Sequence, residues 1–347
     1  MPKTRRQSNI ELARIIAMVL ITAHHCVFHS NALSFVEGFN RDVAYLWLWG
    51  GKAGVNIFVL ISAWFLLEKE NTFRQFVRVW CTSLFYYVFI LLLSLFLFCI
   101  PMSVGTIVRN FLPVLGYENW YVSTFCIWLL LVPVLNKLVG FMDRILIHTI
   151  TGVLFLLECL LPMFHETYYY TDLLFFILLY FLMVEYRGGF LAFIGSKVFC
   201  WLALVGSVAV IFLTEKYTGS TDFAMKPHSI FCLLIGLSVF SLCLNSRTWY
   251  SKPVNLLGKS TFGIFLLHTG NPIRRGYLWP QIFQCDRFFY SRWYWLWMLL
   301  CIAVLFLAGF VIDTLREKYL ERPLQKTAFY QRFVAWGENL TSRLLGQ

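Results

Sequence analysis

The chain is a succession of long apolar runs separated by short polar corners, and a membrane helix needs about 20 mostly apolar residues. The runs that approach this length are Ile10 to His29, Gly54 to Leu67, Val79 to Ile100, Trp120 to Leu138, Ile145 to Pro162, Asp172 to Val184, Val198 to Thr214, His228 to Leu244, Asn255 to Thr269 and Tyr294 to Leu315. They predict an all-α, polytopic integral membrane protein with about ten transmembrane helices in one bundle. Several runs are shorter than a full crossing, so their ends extend into flanks rich in Trp and Tyr, side chains that sit well at headgroup level. Lys252-Pro253, Asn271-Pro272 and Arg322-Pro323 mark loop corners and helix ends. No internal repeat and no low-complexity linker divides the chain. Residues 1–347 therefore read as a single unit, with a core over 8–326 and a short cytoplasmic tail over 327–347.

Composition agrees with that pattern. The 347 residues are 59% hydrophobic, 19% aromatic and only 14% charged, against roughly a quarter charged in soluble domains. A formal charge of +11 raises the question of nucleic acid, but no basic stripe stands apart from the apolar runs. The excess reads instead as topology signal and as capacity for an anionic ligand. With the N-terminus inside, the inner segments carry about twice as many Lys and Arg as the outer ones, which puts both termini in the cytoplasm. The exception is the loop from Gly270 to Trp293, whose four arginines fall outside. The basic N-terminus leads into an apolar run interrupted by Glu11, Arg14, His24 and His25, with no small-residue cleavage site, and so reads as a retained first helix. Of the ten cysteines, none forms a Cys-x-x-Cys pair and only Cys285 looks exposed. They read as small hydrophobes, with no metal site expected.

Ionisable groups inside hydrocarbon cost about 2.5 to 3.5 kcal/mol each on insertion scales and mark cavities or partners. Arg14 and His25 lie eleven residues apart, which at 100° per residue brings them to within about 20° of one face and separates them by about 16 Å along the axis. His24 points about 80° away from Arg14. Such a stripe suits an elongated substrate with an anionic head and a reactive tip, because Arg binds phosphate bidentately and His exchanges protons near neutrality. An acyl-coenzyme A has that shape. The alternative is an Arg14 that snorkels to headgroups and a His25 that bonds a neighbouring helix. Glu11, one turn from Arg14, is placed to pair with it. Asn56 and Ser62 fall within the second run, where amide and small residues serve packing and cross-helix hydrogen bonds. Arg74 and Arg78 begin the third run, as inside-positive signal or as phosphate contacts.

Asn9-Ile10-Glu11-Leu12-Ala13-Arg14, the ten-residue gap to His25, Gly54-Val55-x-x-Phe58-x-x-x-Ser62 and the arginines that open the third run together form a pattern. Glu118-Asn119-Trp120-Tyr121, the segment Leu257 to His268 and Glu321-Arg322-Pro323 extend it over nearly the whole chain. The chain resembles membrane-bound acyltransferase family 3, found in bacterial surface-polysaccharide O-acetyltransferases. The resemblance implies transfer of an acyl group, most often acetyl from cytosolic acetyl-CoA, to a hydroxyl of a glycan, free or lipid-linked, at a bacterial plasma membrane. It implies no tightly bound cofactor. By position, His25 matches the family's catalytic histidine, Arg14 its donor-binding arginine and Arg78 the second arginine of an Arg-x-x-Arg motif. The first arginine of that motif falls on Gln75, with Arg74 beside it, and Ala63 stands where glycine often follows the serine.

The expected chemistry is direct transfer with His25 as general base, an acyl-histidine being the variant. Arg14, Arg78 and Arg74 are expected at the donor, His268 at the depth of His25 as a second catalytic candidate, and Glu11, Asn56, Ser62, Glu118, Trp120 and Glu321 in supporting roles. The aromatic residues between Tyr277 and Trp295 suit sugar rings, and equally a belt at the membrane surface. Expected partners are the acyl-CoA donor, the glycan and membrane lipids, with no nucleic acid. The rivals are a secondary transporter or glycan exporter, for which no matching halves are evident, and an O-succinyltransferase of the same family.

Overall fold

The computed structural model describes residues 6–116, 118–164, 171–219, 226–271 and 273–346. Lys3 and Arg5, which count among the basic residues of the inner segments, and Pro272 of the Asn271-Pro272 corner lie outside them. Every regular element among the described residues is helical. The first half contains α1 (Ser8–His29), α2 (Gly38–Leu48), α3 (Gly50–Leu66), α4 (Phe73–Leu92), α5 (Val104–Asn110), α6 (Trp120–Phe141), α7 (Arg144–Phe155) and α8 (Leu161–Phe164). The second contains α9 (Asp172–Arg187), α10 (Lys197–Thr218), α11 (Ile230–Leu244), α12 (Lys252–Thr269), α13 (Tyr294–Arg316), α14 (Arg322–Lys326) and α15 (Ala328–Leu344). Helix starts coincide with capping residues: the side chains of Asn119, Asp143, Thr171, Ser196 and Thr327 accept the free amides of α6, α7, α9, α10 and α15.

Seven stretches among the described residues are long and apolar enough to cross a membrane: Ser8–His29, Gly38–Leu66, Phe73–Leu97, Trp120–Phe141, Arg144–Phe164, Lys197–Thr218 and Tyr294–Lys326. The protein is a multi-pass membrane protein. The helices α9, α11 and α12, of 16, 15 and 18 residues, pack among these spans. The second span begins at Gly38, well before Gly54, because α2 runs into α3 with only Trp49 between them. Arg144–Phe164 and Lys197–Thr218 are only 17% and 22% buried, so they form the periphery of the bundle.

The axis of the bundle is α1, which packs against α2, α3, α11, α12 and α13. Its partner α12 runs parallel to it. At one end the Ser8 hydroxyl donates to Asn255 Oδ1 at 2.8 Å, and at the other His25 Nδ1 lies 3.0 Å from His268 Nε2. Close approach depends on glycine where α1 meets its neighbours. A Cβ on Gly54 would lie 2.6 Å from the Ala17 carbonyl oxygen, and one on Gly258 would lie 2.5 Å from Glu11 Oε2. Without a hydrophobic force between helices in lipid, such backbone proximity and its van der Waals contacts hold the crossing.

The segment after α12 is more ordered than a surface loop. It forms a π-helix over Arg274–Ile282 and a 3₁₀ turn over Cys285–Phe288, with Leu278, Trp279, Phe283, Cys285 and Phe289 buried. Many of its aromatics thus fill the bundle, while Tyr290 and Trp293 stay exposed. Cys285, expected to be exposed, is buried because this segment folds back onto the bundle; Cys99 is the exposed cysteine among the described residues. The residues expected as a tail form α15, which packs Tyr330 and Val334 against Val77 of α4 and leaves Phe329, Trp336 and Leu344 exposed.

Replacing Gly54 by Val should lower stability by about 1–3 kcal/mol, because the Cβ meets backbone that cannot yield. Gly152→Ala, where nothing lies within 4 Å, should be neutral or mildly stabilising. Thermal unfolding of both variants in one detergent checks this; equal melting of Gly54→Val and wild type would contradict the close crossing.

Candidate functional site

A cavity of about 330 Å³ opens beside the first turns of α1, α4 and α12, within the range of roughly 300–1,000 Å³ usual for small-molecule sites. Among the described residues its wall carries Arg6, Arg14, Arg78, Lys259 and Arg316 against one carboxylate, Asp313. The side chains of Arg6 and Arg78 are 43% and 46% exposed, whereas that of Arg14 is 27% exposed. The cationic end is therefore the mouth. Deeper, the wall becomes apolar and aromatic: Met18 and Ile21 from α1, Val55 and Phe58 from α3, Tyr121 and Phe125 from α6, and Phe262 and Phe265 from α12.

The cations at the mouth are held by carboxylates that each bridge two of them. Glu11 Oε1 accepts from Arg14 Nη1 at 2.6 Å and from Arg6 Nη1 at 3.0 Å. Glu321 accepts from Arg78 Nε at 2.8 Å with one oxygen and from Arg316 Nη1 at 2.7 Å with the other. Arg316, buried, also donates through Nε to Asp313 at 3.0 Å. Lys259 pairs with Glu317, which also holds Arg322 at 3.1 Å. A guanidinium has five N–H donors in a planar fork, so Arg14 and Arg78 keep donors for an anionic ligand after these bonds are made. The second oxygen of Glu11 is buried, with no partner among the described residues, against Gly258.

At the far end of α1 four imidazoles gather. The ring of His25 lies 5.1 Å from His268, 5.0 Å from His29 and 5.4 Å from His24, centroid to centroid. His24 faces the other way and bonds the Leu48 carbonyl of α2. His268 is fully buried and His25 only partly so. Arg274, from the π-helix after α12, comes close enough for its charge to act on both His25 and His268. Among the described residues no group of His, Cys, Asp and Glu side chains is arranged to hold a metal ion. The cavity stops at Ile21 and Phe265, each about one helical turn before a histidine of the pair, or about 4.5–6 Å at 1.5 Å per residue. Phe265 fills that gap, edge-on to both Tyr121 and His268.

The structure brings Arg14, Arg78 and Ser62 to the cavity wall, with Glu11 and Glu321 behind the arginines. It pairs His25 with His268 beyond the cavity. Gln75 lines the wall while Arg74, beside it, turns away to Glu338 of α15 at 3.1 Å. The Ser62 hydroxyl donates to its own helix at Phe58 O, 2.8 Å away. Asn56 donates to the Pro227 carbonyl at 2.9 Å. Glu118 accepts from Asn271 at 3.5 Å, and Trp120 stands edge-on to Tyr121 at the start of α6. Arg6, Lys259, Asp313 and Arg316 were not singled out by sequence as site residues. The signal for the last two was a carboxylate three residues before an arginine inside an apolar helix, a costly pair to place in a membrane.

The family described as an acyltransferase domain matches the chain over residues 7–312. That range includes both histidines of the pair and Arg14 and Arg78 of the cavity wall; it begins after Arg6 and ends before Arg316. No curated protein and no solved structure matches the chain.

Arg316→Ala strands the buried Asp313 carboxylate and should lower stability by about 3–5 kcal/mol. Coupling it with Asp313→Asn removes the stranded charge and should recover a large part of that loss. Thermal unfolding of the two variants reads the difference; no recovery in the double variant would show that the pair is not coupled as the geometry requires.

Proposed function

The chain belongs to acyltransferase family 3, and from that premise we propose that it transfers an acyl group, acetyl from cytosolic acetyl-CoA, to a hydroxyl of a cell-surface glycan, free or lipid-linked. In this reading the protein sits in a bacterial plasma membrane with ten spans and both termini in the cytoplasm, so that the cationic mouth faces the donor pool. The observation that carries the reading is the cavity whose mouth is cationic at Arg14 and Arg78 and whose apolar depth follows α1 toward His25. A cavity of about 330 Å³ takes an extended thioester arm and leaves the phosphate-bearing head at the mouth. There the free N–H groups of Arg14 and Arg78 pair with phosphate oxygens in charge-assisted bonds.

At the histidine end the acceptor hydroxyl meets the thioester carbon. His25 takes the hydroxyl proton as the oxygen attacks, the carbon–sulfur bond breaks, and the proton passes to the leaving thiolate. The balance is one alcohol and one thioester consumed, one ester and one thiol formed. Partial exposure of His25 supports access for an acceptor from the side opposite the mouth. The Phe265 ring, which ends the cavity one turn short of the pair, must swing aside for the acyl group to pass.

Purified protein in nanodiscs, given acetyl-CoA and a crude native glycan, should release free CoA and form ester. His25→Ala should reduce turnover about 10²- to 10⁴-fold. Arg14→Ala should raise the donor KM about 10- to 100-fold, the loss expected for a charge-assisted hydrogen bond. Succinyl-CoA in place of acetyl-CoA decides the acyl group. A wild-type protein that consumes no thioester with either donor would refute the proposal and favour a transporter.

A further inference from the structure

The bonds around the two histidines fix where their protons are. His268 Nδ1 lies 2.6 Å from the Ile264 carbonyl oxygen, and a carbonyl can only accept, so Nδ1 carries the hydrogen. Among the described residues neither ring bonds a carboxylate, and the positive charge near the pair is that of Arg274. The neutral ring is then the resting form of His268, and its Nε2 presents a lone pair. That lone pair faces His25 Nδ1 at 3.0 Å. Two lone pairs cannot share a hydrogen bond, so His25 Nδ1 is the donor and His25 Nε2 is left as the bare nitrogen.

Resting on the proposed acyl transfer, we infer that His268 is a positioning residue that holds His25 in the Nδ1–H tautomer, leaving His25 Nε2 as the base. When Nε2 takes the acceptor's proton, the imidazolium keeps donating Nδ1–H to His268 Nε2. The new charge thus finds an acceptor already in place, without rearrangement. The Ile264 carbonyl, one turn back in α12, anchors the other side of the His268 ring, so the chain of two bonds ends in backbone. A carboxylate in the place of His268 would set the same tautomer, but at the cost of an anion in a fully buried position. Neutral imidazole does it with no net charge.

The test uses full-length protein in nanodiscs with ¹⁵N-labelled histidine, His25 being assigned by comparison with His25→Ala. The wild-type spectrum should report His25 with Nδ1 protonated and Nε2 bare. His268→Leu should shift His25 toward the Nε2–H tautomer and lower kcat at least about 10-fold while the donor KM holds. His268→Gln, whose side-chain oxygen can accept from His25, should restore the tautomer and most of kcat. A wild-type His25 protonated at Nε2 overturns the inference. So does a His268→Leu variant with full kcat, or a folded His268→Gln variant as slow as His268→Leu. If the wild type moves no acyl group at all, the transfer reading falls, while the tautomer in the wild-type, Leu and Gln spectra still decides the role of His268.

Discussion

The parallel packing of α1 on α12 is the contact on which the rest of the site depends. Both helices carry a chemically loaded residue near each end, and both ends meet: Ser8 with Asn255 and Glu11 with Gly258 at one, His25 with His268 at the other. The absence of a side chain at Gly258 allows this, since any Cβ there would collide with the Glu11 carboxylate. In lipid, where burial of apolar surface does not drive helices together, a crossing this close is held by contact and hydrogen bonding. The same contact that builds the bundle therefore sets the distance between imidazoles.

At the cavity mouth charge is neutralised in pairs. Glu11 and Glu321 each bridge two arginines, and Asp313 shares Arg316 with Glu321. Insertion of such groups singly would cost several kcal/mol each; bridged, they form a rigid rim whose remaining N–H groups point to the cavity. The other end is built from imidazoles, which can be neutral in a dry site and still move protons. An aromatic stretch separates the cations of the mouth from the imidazole pair, so an anionic head bound at the mouth lies away from the groups that would do the chemistry.

Much of the layout was legible in the order of residues. The apolar runs gave the helices, and 3.6-residue periodicity put Arg14 and His25 on one face with His24 turned away, where His24 indeed bonds α2. The pairing of Glu11 with Arg14 followed from one turn of helix. Less legible was everything that needs a second helix. Arg74 was expected at the donor with Arg78, but a contact with α15 draws it to Glu338 while Arg78 faces the cavity. Arg316 counted in sequence only among the basic residues of the inner segments, and α13 brings it to the wall. The arginines after α12 looked misplaced on the outer side, and Arg274 now stands beside the histidine pair. Cys285 looked exposed until the π-helical segment folded it inward.

The sequence by itself determined the all-helical class, the membrane setting, the family pattern and the relations within each helix, because backbone geometry alone fixes rise and turn per residue. The tertiary structure decided which helices touch, at what depth the cavity ends, and which nitrogen of His25 faces His268. Those depend on crossings set by side-chain shape between segments far apart in the chain, where no periodicity records them.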